Sequence, residues 1–264
     1  MGRILAALWA YRGFILGSVW REFHSRYLNS VLGVAWAVIN PLAQIVIFTV
    51  IFANVMRAKL PGVDSTYGYS IHLCAGLLTW NLFAEIAGRG QMVFIESANL
   101  MKKLSFPRLA LPVIVVINAL INFAIVFGLF TLFLIVSGNF PGLPFVALVP
   151  LLVIEVAFAI GVGISLGVLN VFFRDVGQAF GVVLQFWFWL TPIVYARDIL
   201  PANIQFFLSF NPMGGLIAAF QDIMVKGEWP HWSSLWLVTL LAVLLCVWGL
   251  RLFRRNSGDL VDEL

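Results

Sequence analysis

Charge is what this sequence has least of. Asp, Glu, Lys and Arg make up only 11% of its 264 residues, less than half of the roughly 25% carried by soluble domains, which excludes an ordinary water-soluble fold. Histidine is nearly as scarce. His24, His72 and His231 stand far apart without ligand or catalytic spacing, and read as residues of membrane boundaries. The two cysteines, Cys74 and Cys246, sit inside apolar runs at different depths. That placement argues against a disulfide, and no Cys/His spacing suits zinc. No G-x-x-x-x-G-K-S/T stretch occurs, so the chain carries no P-loop. No catalytic set is visible. The N-terminus has Arg3 and a short apolar piece but no small-residue cleavage site, and reads as part of the mature protein.

What is present is apolar: 62% of the residues are hydrophobic. Val31 to Met56 is free of charge and, at 26 residues, exceeds the roughly 20 that span a bilayer. Pro41 should kink it. A polar loop over 57–68 contains Arg57, Lys59, Pro61, Gly62 and Asp64, and Tyr69 to Phe94 forms a second span with Glu85 and Arg89 inside it. Leu109 opens 46 residues without a charge, up to Glu155. The turn residues of 137–144 divide this run, giving spans three and four. Val176–Ala196 and Trp232–Leu250 are spans five and six, and a charged tail follows from Arg251. The expected fold is an all-α integral membrane protein with six transmembrane helices.

Six crossings leave both termini on one side. Arg3, Arg12, Arg21, Arg26, Lys102, Lys103, Arg108, Arg174, Arg251, Arg254 and Arg255 fall there, against Arg57, Lys59, Arg197 and Lys226 opposite. The asymmetry places the termini in the cytoplasm. It also accounts for the net charge of +4 without a nucleic-acid partner. Residues 1–30 form a cytoplasmic N-terminal region and 31–264 the transmembrane domain. Over 14–28, Leu16, Val19, Trp20, Phe23 and Tyr27 recur at helical spacing, opposite Ser18, Arg21, Glu22, Ser25 and Arg26. This pattern suits an interfacial helix, or an amphipathic helix packed on protein.

Between spans five and six, Pro201–Phe210 and Pro212–Lys226 are two apolar stretches, each too short to cross. They read as a helical hairpin over 197–230, re-entrant from the outer face, either a gate or simple packing. The basic break 97–108, with Lys102, Lys103 and Arg108, emerges on the cytoplasmic side as a turn or two of helix on which another protein could dock.

Polar residues inside spans are costly and therefore informative. Trp36, Asn40, Gln44 and Phe48 follow at intervals of four, and Gln178, Gln185 and Trp189 share a face with Phe186 close by. Amides and aromatics on one face can bond sugar hydroxyls and cover the apolar faces of sugar rings, or bond a neighbouring helix. Glu85 and Arg89 stand at i, i+4, a spacing for a structural ion pair. Glu155 has no sequence partner. Gly163 with Gly167, and Gly177 with Gly181, have small-xxx-small spacing for close helix packing.

These features resemble the membrane subunit of type-2 ABC exporters of lipid-linked polysaccharides, the O-antigen, teichoic acid and capsule permeases. The resemblance rests on four segments in order along nearly the whole chain. They are Arg26-Tyr27 through Val31–Trp36 to Pro41; Leu100 with Lys103 and Phe106-Pro107-Arg108; Pro192–Tyr195 with Pro201; and Phe210-Asn211-Pro212 with Gly227 and Pro230. It implies a homodimer bound to two copies of a separate P-loop ATPase, which would hold ATP and Mg, with no cofactor in this chain. It implies ATPase coupling through the 97–106 turn, at Asn99, Leu100, Met101, Lys102 and Lys103. It implies a channel lined by Trp36, Asn40, Gln44, Phe48, Gln185, Phe186 and Trp189, and an external gate at Phe210, Asn211 and Pro212. The N-terminal helix would flank the cytoplasmic mouth, where Arg21 and Arg26 are placed to bind a lipid diphosphate.

The function expected is export of an undecaprenyl-diphosphate-linked glycan across a bacterial inner membrane. A type-2 permease for a small molecule or lipid is the nearer alternative and needs no continuous sugar path. A membrane-embedded transferase is the alternative of another class, and would need reactive groups converging at one membrane face.

Overall fold

The computed structural model describes residues 2–27, 33–51, 67–103, 106–195, 201–258, 260 and 263. The loop residues 57–66, Arg197 and the side chain of Arg26 lie outside the described residues. Every regular element among the described residues is helical. In chain order they are α1 (Gly2–Ala10), α2 (Arg12–Tyr27), α3 (Trp36–Phe48), α4 (Gly68–Glu96), α5 (Ala98–Lys103) and α6 (Ala110–Val136). They continue with α7 (Leu148–Phe172), α8 (Asp175–Trp189), α9 (Ala202–Leu208), α10 (Pro212–Gln221) and α11 (Trp236–Asn256).

Four of these runs are long and apolar enough to cross a membrane: α4, α6, Leu143–Phe172 containing α7, and Trp232–Asn256 containing α11. The other two expected spans are helical but shorter. The α3 run reaches Ile51, and α8 has 15 residues. The helix expected to reach Ala196 ends at Trp189, because Pro192 lacks an N–H and disfavours a helical residue before it. At the other end of the chain, the tail expected from Arg251 continues α11 to Asn256.

Exposed apolar side chains such as Leu132, Ile135, Val153, Val243 and Val247 cover the outer faces of α6, α7 and α11, as lipid contact requires. Several hydroxyls are satisfied by their own segment. Thr79, Thr131, Thr191 and Thr239 each donate to the carbonyl four residues back, at 2.7–2.9 Å. The core lies between α4, α6, α7, α10 and α11 and includes the fully buried Phe83, Phe130, Phe158, Phe220 and Leu216.

Helices in lipid gain little from apolar burial against one another, so close van der Waals contact decides their packing. A methyl built on Gly90 would lie 3.0 Å from Gly163 Cα, and one on Gly167 would lie 2.7 Å from the Gly90 carbonyl oxygen. The Gly163/Gly167 spacing thus joins α7 to α4 backbone to backbone. Gly177 meets the side chains of Asn170 and Gln91, whereas Gly181 faces open space. The second small-residue pair therefore forms no such seam within one chain.

Helix α2 packs Ile15 and Val19 against Ala110 and Ile114 of α6, and leaves Leu16 and Trp20 exposed. The packed face therefore overlaps the one that periodicity selected at Val19 but is turned away from Leu16 and Trp20. Glu22, which the sequence pattern puts on the polar side, turns inward, as described below.

Candidate functional site

Helices α3, α4 and α6 enclose an open groove of about 330 Å³. Trp36, Asn40, Gln44 and Phe48 line it from α3, where their interval of four puts them on one face. Leu77, Leu78, Asn81 and Glu85 line it from α4, and Asn122, Phe123 and Val126 from α6. Trp36, Asn40, Gln44 and Asn81 are exposed. The wall combines an indole, four amides and one carboxylate in an otherwise apolar surround, as ligand sites commonly do.

The sequence expects Gln185, Phe186 and Trp189 to face the α3 set around an uncharged passage, either through each protomer or at a dimer axis. The structure separates the two sets within one chain. These three residues are exposed on α8 and are not part of the groove lining, whose far wall is made by α4 and α6. An ionisable residue, Glu85, also lines the groove. Periodicity groups residues on one face of a helix but does not say which helix lies opposite. The far-wall amides Asn81 and Asn122 were missed for that reason.

Glu85 belongs to a larger polar cluster. Arg89 donates to Glu85 Oε1 at 3.3 Å, and Asn122 Nδ2 donates to Glu85 Oε2 at 3.2 Å. Arg89 also pairs with Glu22 of α2, whose second oxygen accepts from Asn118 Nδ2 at 2.6 Å. The i, i+4 pair is present, but its guanidinium bridges two carboxylates. This cluster ties α2, α4 and α6 together beside the groove. Glu155, by contrast, is fully buried on α7, and neither carboxyl oxygen has a partner among the described residues.

Asn211 stands between α9 and α10, with Pro212 at the first helical position. Its Oδ1 accepts from Met213 N at 3.1 Å and from Trp187 Nε1 at 2.8 Å. Its Nδ2 donates to Thr191 Oγ1 at 2.9 Å and to the Leu190 carbonyl at 3.3 Å. One amide therefore caps α10 and fastens it to the end of α8. Trp187 in turn packs edge-on against Trp80, Phe83 and Phe158. Helix α10 is embedded through Met213, Leu216, Ile217 and Phe220, whereas Phe206, Phe207 and Phe210 beside it are exposed. Trp187 was not singled out in the sequence, although it lies among the α8 aromatics.

In the basic turn, Asn99, Lys102 and Lys103 are exposed and Leu100 is half-buried. Met101 is buried in this chain's own cluster with Phe94, Leu111, Phe253 and Leu260. It anchors α5 to the bundle and is not presented outward. A single residue, Ser97, separates α5 from α4, which keeps the short helix close to the bundle. Arg21 is exposed on α2 and bonds Ser18 Oγ at 3.2 Å.

The ABC-2 type transporter family matches residues 15–225. The O-antigen export system permease protein RfbA of Klebsiella pneumoniae is 32% identical over 89% of this chain and 88% of its own. A protein of the same name from Myxococcus xanthus is 28% identical over the full length of both chains. The polysialic acid transport protein KpsM of Escherichia coli is 20% identical over 92% of this chain and 93% of its own.

Proposed function

The chain belongs to the ABC-2 type transporter family, and on that premise we propose that it is the permease subunit of an ATP-driven exporter of lipid-linked polysaccharide such as O-antigen. The observation that carries the reading is the groove, in which Trp36, Asn40, Gln44, Asn81 and Asn122 gather an aromatic face and hydrogen-bonding amides along one open path. Such groups grip a sugar chain weakly at many points, which lets it slide. Relatives that cover nearly the whole chain and are named for O-antigen export support the same reading.

In this proposal, α3 and α8 with their flanking residues complete six crossings of a bacterial inner membrane, and both termini are cytoplasmic. Two copies form the transporter with two copies of a P-loop ATPase, which holds ATP and Mg. The ATPase docks on the 97–106 turn through Asn99, Leu100, Lys102 and Lys103, which Met101 holds in place from within. Arg21 and Arg26 receive the lipid diphosphate, since a guanidinium can bond two phosphate oxygens at once. Gln185, Phe186 and Trp189 extend the path from the second copy. Phe210, Asn211 and Pro212 form the re-entrant external gate.

The test is genetic and chemical. A strain lacking this chain should accumulate lipid-linked polysaccharide on the inner face of the membrane. Wild-type protein should restore export, and a Trp36→Ala/Asn40→Ala/Asn81→Ala variant that still inserts should not. Accumulation of a small lipid or drug in place of the polymer would favour a small-substrate permease.

A further inference from the structure

One face of α11 is left bare by the bundle. Trp236, Leu240, Val243, Leu244, Val247 and Trp248 are exposed along it, at the intervals of three and four that keep residues on one side of a helix. The buried residues of the same helix, Val238, Ala242, Gly249 and Phe253, occupy the opposite side. The bare stripe ends in cations. Arg251, Arg254 and Arg255 continue it through the last turns of α11, and all three are exposed. None of the three guanidiniums has a hydrogen-bond or ion-pair partner among the described residues. No acidic residue occurs between Trp236 and Gly258. Trp248 stands one turn before Arg251, about 4.5 Å from it along the helix axis, in the position of a tryptophan at the edge of the hydrocarbon.

We propose that the Trp248, Arg251, Arg254 and Arg255 end of α11 is a binding site for an anionic phospholipid of the surrounding bilayer. The order of chemistry along the stripe is that of such a lipid, with charge at one end and hydrocarbon beyond it. A guanidinium presents two N–H groups to two phosphate oxygens, and three of them on one helix face can share a headgroup. Clustered cations at the end of a membrane span favour anionic headgroups. A zwitterionic lipid would bring its own ammonium against them. The acyl chains then lie along Val243, Leu244 and Val247. With the C-terminus cytoplasmic, as proposed above, the lipid belongs to the inner leaflet. The site is independent of the groove and of the glycan path.

The full-length chain is stripped of lipid in detergent and titrated separately with phosphatidylglycerol and phosphatidylcholine, and bound copies are counted by native mass spectrometry. Wild type should hold phosphatidylglycerol at least about fivefold more tightly than phosphatidylcholine, and raised salt should shrink that ratio. The ratio should fall towards equality in Arg251→Gln/Arg254→Gln/Arg255→Gln. Phosphatidylglycerol should also raise the melting temperature of the wild-type chain and not that of the variant. A held headgroup fixes the end of α11, whose Phe253 stacks on Phe94 at 5.6 Å and packs in one cluster with Met101. Equal binding of the two lipids by wild type, or an unmoved ratio in the folded variant, would overturn the proposal. A variant that kept the lipid preference but lost co-purification with the ATPase would overturn it too, and would make the arginines a protein contact.

Discussion

Arg89 on α4 pairs with Glu22 on α2, 67 positions away, while the same guanidinium holds Glu85 one turn before it. Helix α2 and the groove wall thus share one cation. Replacing that cation removes an ion-pair partner from both carboxylates, whereas replacing Glu22 by its amide leaves the Glu85–Arg89 pair in place. Both acids are about a quarter to a third exposed, so solvent screens part of the effect. Glu22→Gln should cost about 1 kcal/mol. Arg89→Ala should cost about 3 kcal/mol. Thermal melting of the purified chain checks the order, and equal losses would mean that the bridge carries no weight.

The seam between α4 and α7 predicts a size limit. Gly90→Ala places a methyl 3.0 Å from the Gly163 backbone, which should destabilise the chain by about 1–3 kcal/mol. Gly128→Ala on α6 meets nothing within 4 Å and should be neutral or stabilising. Comparison of the two melting temperatures separates close approach from general loss of a helical glycine.

Several helix ends were legible in the sequence where a charge, proline or glycine bounds them, though the ends near Pro192 and Arg251 were not. Arg108 before α6, the 137–144 turn before α7 and Asn211-Pro212 before α10 all mark real boundaries. The Gly163/Gly167 seam was readable from spacing alone. The Glu22 partner was not, because an i, i+4 pair looks complete in one dimension. Met101 misled for a related reason: an apolar residue in an exposed turn can anchor it inward or present it outward, and spacing does not distinguish the two.

That distinction can be measured. Lys102→Glu/Lys103→Glu alters only exposed charge on α5 and should lower co-purification with the ATPase several-fold, with melting unchanged. Met101→Ala removes a buried side chain and should cost about 2–4 kcal/mol of stability. Loss of ATPase binding in a Met101→Ala chain of normal stability would return Met101 to the interface.

Asn211 predicts a leak. Trp187→Phe keeps most of the aromatic packing and removes only the indole N–H that bonds Asn211, whereas Asn211→Leu removes all four bonds of that amide. If the hairpin closes the path, proteoliposomes without glycan should release trapped dye several-fold faster with Asn211→Leu, and to a lesser degree with Trp187→Phe. Unchanged release by both variants would make Asn211 a folding residue alone.

The glycine seam bears on how force could travel. No side chain separates the α4 and α7 backbones where Gly90 meets Gly163, so no rotamer change there can absorb a push. Helix α4, at 29 residues, is about 43 Å long. One end adjoins α5, and near the other Tyr69 bonds the Val194 carbonyl just beyond α8. A displacement delivered at α5 would therefore have to move α4 and α7 together, as one splinted rod.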